Sequence, residues 1–238
     1  LGGGAIAGAE TVTRALADAA QDGSVKAIVL RLESPGGDGF ASAEIRRAVR
    51  EARRQGKPVV ASMGDLAASG AYLAAAGADV ILAEPSTLTG SIGVFALKAD
   101  LSGLLQKLGV GLASDQRGEK ARLDSPLKPW TPEERRHLER QLGSFYQMFV
   151  EAVAEGRKLT PPAVEEAAQG RVWTGAQALE RRVGDRLGAL DEAVALAGGR
   201  AGAGPGAGGT PGVAPAARLP RAGAGRHDCR PAAGRPPR

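Results

Sequence analysis

Three short, mainly apolar runs set the limits on this chain: Val25 to Leu32, Pro58 to Met63 and Val80 to Ala83. A strand with one wet face alternates apolar and polar residues; a strand buried on both faces does not, and is typical of a parallel sheet. Between the runs the periodicity changes to that of helices. Thr11 to Asp22 repeats Val12, Leu16 and Ala19/Ala20, and Ala41 to Gln55 turns Ile45 and Val49 inward and a row of Arg outward. Gly56-Lys57-Pro58 ends the second helix, and a small-residue helix starts at Ser69 and runs through Ala76. Strand, helix, strand, helix, strand predicts right-handed crossovers and an α/β fold on a mostly parallel sheet.

Beyond the third run, Thr89-Gly90-Ser91-Ile92-Gly93 reads as a turn and Asp100 to Leu108 as a helix. Val110 to Lys120 reads as a strand and loop. Pro132 to Glu155 is a long amphipathic helix carrying Leu138, Leu142, Phe145, Phe149 and Val153, with Thr131 and Glu134 spaced as a capping box. Its aromatic face, Phe145, Tyr146 and Phe149, is expected in the core, part of it available to a second subunit. Thr160 precedes another helix with Pro161 at its first position, and Asp191 to Ala197 closes the domain. The reading is a domain over residues 1–197 with a helical C-terminal part.

Residues 198–238 are a tail of Gly, Ala, Pro and Arg with almost no large apolar side chain, a composition that cannot order itself. A linker and a shifted reading frame both account for it. The tail holds seven Arg and one acid, Asp228, so it carries +6 of a net +5, and the other 197 residues carry −1. The folded part therefore makes no electrostatic claim on nucleic acid. The single cysteine, Cys229, lies in the tail, so no disulfide forms within the chain. No apolar run reaches the ~18 residues that span a bilayer. The chain opens on Leu1 inside a glycine-rich stretch, so a truncated start is expected, with any membrane anchor upstream.

The chemistry concentrates in Asp65-Leu66-Ala67-Ala68-Ser69-Gly70-Ala71-Tyr72 and in Ser34-Pro35-Gly36-Gly37. Ser69 stands among small residues at a strand-to-helix turn, where a serine can serve as nucleophile. An oxyanion needs two convergent N–H donors, and Gly36 and Gly70 can offer theirs without a side chain in the way. Alone, each feature has a plain structural reading: a helix start among alanines, and an ordinary turn.

The histidine of the globular part, His137, lies among Arg135, Arg136, Glu139 and Arg140 and reads as a solvated surface residue. A Ser-His-Asp triad, a cysteine nucleophile and a histidine-rich zinc site are poorly supported. A base for Ser69 should then be a lysine with its pKa depressed by burial and neighbours. Of seven lysines, Lys26 and Lys57 sit at the wrong strand ends, Lys107, Lys128 and Lys158 read as surface residues, and Lys98 and Lys120 remain.

Five ordered blocks resemble the signal peptide peptidase A (protease IV) family. They are Ala27-Ile28-Val29-Leu30-Arg31 with Ser34-Pro35-Gly36-Gly37, Lys57-Pro58-Val59-Val60, Ala67-Ala68-Ser69-Gly70, Pro85 to Gly93, and Gly170-Arg171-Val172-Trp173-Thr174-Gly175. The resemblance covers roughly Thr11 to Leu196. It implies a Clp-protease/crotonase type of fold and a membrane-anchored homo-oligomer on the extracytoplasmic (periplasmic) side of the cell membrane. It implies degradation of signal peptides without cofactor or metal. It makes Ser69 the nucleophile, Gly36 and Gly70 the oxyanion donors, and Ser91 the residue that orients the lysine.

The family's lysine falls in a G-x-x-K run. Here the run reads Gly118-Glu119-Lys120-Ala121, with Lys120 one residue early and Ala121 in the expected place. Either Lys120 serves after a one-residue loop shift, or the chain is the C-terminal half of the family's tandem form and receives its lysine from the other half. An inactive scaffold and a crotonase-like acyl-CoA enzyme, with Asp38 or Asp65 near the thioester, are the rival readings.

Overall fold

The computed structural model describes residues 6–202. In chain order the elements are α1 (Ala9–Gln21), β1 (Ile28–Ser34), α2 (Gly39–Arg54), β2 (Val59–Ala68), α3 (Gly70–Ala75), β3 (Val80–Ala83), β4 (Leu88–Gly90), α4 (Ser102–Lys107), α5 (Pro132–Arg157), α6 (Pro161–Glu165), β5 (Val172–Thr174), α7 (Gly175–Glu180), β6 (Arg186–Leu187) and α8 (Leu190–Arg200). The alternation expected from the three apolar runs is present through β3. The fold is α/β on a largely parallel sheet, as expected.

β2 is the hub of the sheet. β1 runs parallel along one side of it, from Ile28 opposite Val59 to Ser34 opposite Ala67, with a register shift between Leu32 and Ser34. The other side is shared by two parallel strands in succession: β3 takes Val60 to Ser62, and β4 takes Leu66 to Ala68. Beyond them β6 extends β3 in parallel, and β5 closes β4 antiparallel. β2 is buried continuously from Val59 to Gly64, which is why its sequence is apolar without alternation.

On one face of the sheet Val49 of α2, Met63, Tyr72 and Leu73 of α3, and Phe149 and Val153 of α5 form the main core. On the other face Ala193 and Ala197 of α8 cover Val60, Val80 and Leu82. α5 starts with the expected capping box, Thr131 and Glu134 each accepting the other's backbone N–H. Its end is tied into the core: Arg157 pairs with Asp185 and donates to the Ala78 carbonyl at 2.7 Å, and Asp185 also accepts the Ile81 amide at 2.7 Å. Burial raises the pKa of Tyr72, whose hydroxyl donates to the Val183 carbonyl at 2.8 Å.

Two expectations need correction. Val110 to Lys120 contains no strand; Val110 and Leu112 are exposed, and the segment pairs with none of the described strands of the sheet. The closing helix runs on to Arg200, three residues past the expected boundary at 197. The rest of the proposed tail, from Ala203, and its Cys229 lie outside the described residues.

Candidate active site

β2 delivers its last residues, Ala67 and Ala68, to a sharp turn at Ser69. Ser69 is the N-cap of α3 and adopts φ 53°, ψ −119°, a conformation that L residues other than glycine rarely hold. The turn is over-determined by its neighbours. The Ser69 amide donates to the Gly90 carbonyl at 2.9 Å, and the Ser69 carbonyl accepts the Leu73 amide at 2.9 Å. Ser69 itself is half-buried, between the buried Ala68 and Gly70.

The β1 end reaches the same point. Gly36 has φ 108°, and a Cβ there would stand 2.8 Å from both the Gly70 nitrogen and the Ser69 Cβ. A Cβ on Gly70 would run into the Ser42 hydroxyl and lie 3.2 Å from the Gly37 nitrogen. The structure thus gathers Gly36, Gly37, Ser69 and Gly70 at a spacing that only glycine permits at positions 36 and 70. Gly70 opens α3, so its N–H has no partner within the helix. The Gly36 N–H already donates to Ser34 Oγ at 3.2 Å. The Gly37 N–H makes no protein hydrogen bond among the described residues.

Ser91 stands next to Gly90, at φ 50° and half-buried, with its amide on the Arg171 carbonyl at 2.8 Å. Both serines named from the sequence therefore sit on strained backbone, joined through Ser69 N–H to Gly90 C=O.

The lysines lie differently. Lys120 is exposed, and its Nζ is 3.3 Å from His137 Nδ1. No hydrogen bond among the described residues joins it to Ser69 or Ser91. The Lys98 ammonium is taken up by the carbonyls of Leu123 and Lys128, at 3.3 and 3.0 Å, above the Trp130 ring. His137, expected to be solvated, is half-buried beside Lys120 because the loop before α5 folds back over it.

Three supporting residues were not singled out from the sequence. Glu33 accepts the Asp65 and Leu66 amides at 3.0 and 3.1 Å, filling in where the β1–β2 register shifts on the approach to Ser69. Ser42, buried at the start of α2, donates to the Asp38 carbonyl at 2.8 Å and packs on Gly70. Gly37 was read only as half of a turn. Register shifts and unpaired amides leave no mark on residue type, so no sequence signal pointed to them.

A nucleophile candidate at a strained strand-to-helix turn, facing glycine amides, is the arrangement of acyl-transfer enzymes. The model of the family described as Peptidase family S49 matches residues 51–203. The chain belongs to peptidase family S49. Its fold is accordingly Clp-protease-like.

Among S49 relatives, Protease 4 of Haemophilus influenzae is 38% identical over 188 residues, covering 79% of this chain and 30% of the relative. Protease 4 of Salmonella typhi is 42% identical over 190 residues, 80% of this chain and 31% of the relative. The Arabidopsis thaliana protein named Serine protease SPPA, chloroplastic, is 42% identical over 173 residues, 72% of this chain and 25% of the relative. The S49 chain described here spans about a quarter to a third of the length of these relatives. No described helix is long and apolar enough to cross a membrane.

Proposed function

We propose that this S49 chain is a serine endopeptidase in which Ser69 is the nucleophile and a lysine amine its base. The observation that carries the proposal is the meeting of the strained Ser69 turn with the Gly36–Gly37 turn and the Gly70 amide. Ser69 Oγ attacks the scissile carbonyl carbon and the lysine amine takes its proton. The carbonyl π pair moves onto oxygen, where the Gly70 N–H and an N–H of the Gly36–Gly37 turn receive it. Gly37 N–H is the donor already free; Gly36 N–H would first have to leave Ser34 Oγ. Collapse expels the amine, which takes the proton from the lysine ammonium. Water, deprotonated by the same lysine, then attacks the acyl-enzyme and releases the acid.

Ser91, held beside Ser69 by the Ser69–Gly90 backbone bond, would hydrogen-bond the lysine and orient it. Lys120 fills the base role if its loop swings its amine away from His137. Its placement on His137 equally favours a lysine supplied by a second half or a second copy. The substrates are extended apolar peptides with small side chains near the cut, signal peptides among them. The small residues around Ser69 and the family resemblance support this. A homo-oligomer, anchored to the membrane by a segment outside this chain and facing away from the cytoplasm, is part of the same reading.

The test is fluorophosphonate labelling of the full chain as wild type, Lys120→Ala and Ser69→Ala. Labelling of Ser69 that disappears in Lys120→Ala establishes a dyad within the chain. Labelling that survives assigns the base to another residue. A folded wild type that never labels removes the reading of this chain as a peptidase with its own base, leaving a lysine supplied by a second half or an inactive scaffold.

A further inference from the structure

α2 begins two residues after the Gly36–Gly37 turn. Its first turn is pinned: Asp38 is the N-cap, and its carboxylate accepts the Ala41 amide at 2.8 Å. The second residue of the helix is Phe40, and it is 78% exposed. A lone exposed apolar side chain needs no explanation in general. This one is held. The Phe145 ring of α5 meets it edge-on, with centroids 6.2 Å apart and planes at 67°. Gly39 makes that approach possible, because a Cβ there would collide with the Phe145 ring. A glycine in a helix costs stability relative to alanine, and here it lets a second ring steady the first while leaving most of Phe40 open.

Phe40 is three residues from Gly37, so their Cα atoms lie at most about 11 Å apart. An extended peptide advances about 3.3 Å per residue. A substrate whose carbonyl oxygen sits at the Gly37 and Gly70 amides, and whose chain runs along the start of α2, meets Phe40 within a few residues of the cut. The chain neighbours of Ser69 are the small residues Ala67, Ala68, Gly70 and Ala71, which leave room for small side chains. Phe40 is a broad apolar plate further out.

We propose that Phe40, steadied by Phe145, is a specificity residue that receives one large apolar side chain of the peptide, a few residues from the scissile bond. This rests on the peptidase reading of Ser69. It divides the substrate into two parts: small residues flanking the cut, and one bulky aliphatic or aromatic residue at a fixed offset.

The experiment uses the full chain and a series of internally quenched alanine-rich peptides in which one Leu is walked through each position around the cut. In the wild type one Leu position raises kcat/KM about tenfold or more over the all-Ala peptide, the scale of burying an aliphatic side chain. In Phe40→Ala that ratio falls toward one, and in Phe40→Leu most of it returns. Phe145→Ala lowers it in part. A Leu preference that persists in Phe40→Ala overturns the proposal. So does a fall in mass by light scattering that accompanies the loss, since Phe40 is then a subunit contact. A wild type that cuts no peptide and does not label at Ser69 removes the reading of this chain as a self-sufficient peptidase, and this inference with it. A wild type that cuts without any Leu preference removes this inference alone.

Discussion

The Ser69 amide donates to the Gly90 carbonyl at 2.9 Å, so the turn that bears the proposed nucleophile hangs from the turn that presents Ser91. Each turn holds a serine at positive φ, 53° and 50°. Neither conformation would persist in isolation; β4 lying in register with the end of β2 holds both.

The Ser69 strain gives a prediction in which stability and activity move apart. Ser69→Gly removes the Cβ that resents φ 53°, whereas Ser69→Ala keeps it. The glycine variant should be more stable than the alanine variant by about 1–3 kcal/mol, although neither labels with fluorophosphonate. Urea midpoints measure the difference; equal midpoints would mean the turn is unstrained.

The two adjacent glycines should respond differently to alanine. At position 36 a Cβ meets Gly70 N and Ser69 Cβ at 2.8 Å, whereas at Gly37 nothing lies within 4 Å. Gly36→Ala keeps its own N–H but pushes the Gly70 amide aside; it should lose turnover about 100-fold or more, the scale of a lost oxyanion donor, and also unfold more easily. Gly37→Ala, which keeps its N–H, should stay close to wild type in stability. Steady-state rates and melting curves of the pair check this.

Much of this was legible because the features are local. The apolar runs announced β1 to β3, and Thr131 with Glu134 announced the start of α5. Ser69 and Gly36 stood out because small residues cluster where chains approach closely. β4, whose residues read as part of a turn, and β5, α7 and β6 were missed. The strands are two or three residues long, and what makes them strands is a neighbour distant in sequence, Leu66 for Leu88, Leu88 for Thr174 and Leu82 for Arg186. α7 did carry a local mark, the capping box of Thr174 and Gln177. The strand expected near Val110 did not form: its residues suit a strand, but the segment lies exposed and off the sheet. The lysine was the least legible part, because a loop's side chains can be matched to a motif but not to a direction in space.

Asp185 should be far more costly to remove than its partial exposure suggests. Its carboxylate neutralises Arg157, whose side chain is 1% exposed, and caps the Ile81 amide. Asp185→Ala leaves a buried guanidinium unpaired and should cost about 3–5 kcal/mol. Chemical denaturation of the variant measures it; a loss below about 1 kcal/mol would class the pair with surface ion pairs.

Acid should loosen the start of α5 first through Glu134. The Lys128 ammonium beside it, then the capping bonds with Thr131, hold its carboxyl below the usual carboxylate range. A depressed folded pKa gives stability that is present above the unfolded value, about 4.3, and is lost as pH falls through the folded one. Wild-type stability should therefore drop more steeply below about pH 4 than that of Glu134→Gln. Urea midpoints at pH 7, 4 and 3 test it, and parallel curves would count against it.

The central place of β2 also governs how this chain reaches its fold. Its partners β1, β3 and β4 are all parallel, so each pairing waits for a crossover segment to close before any ladder bond forms. Such non-local pairing makes for slow folding. During that wait Val59-Val60-Ala61-Ser62-Met63 stands with both edges open, a short uncharged stretch of high strand propensity and the natural nucleus for aggregation. Conditions that limit encounters during the wait, low protein concentration and moderate temperature during refolding, should decide the yield of native protein more than anything done at the Ser69 turn.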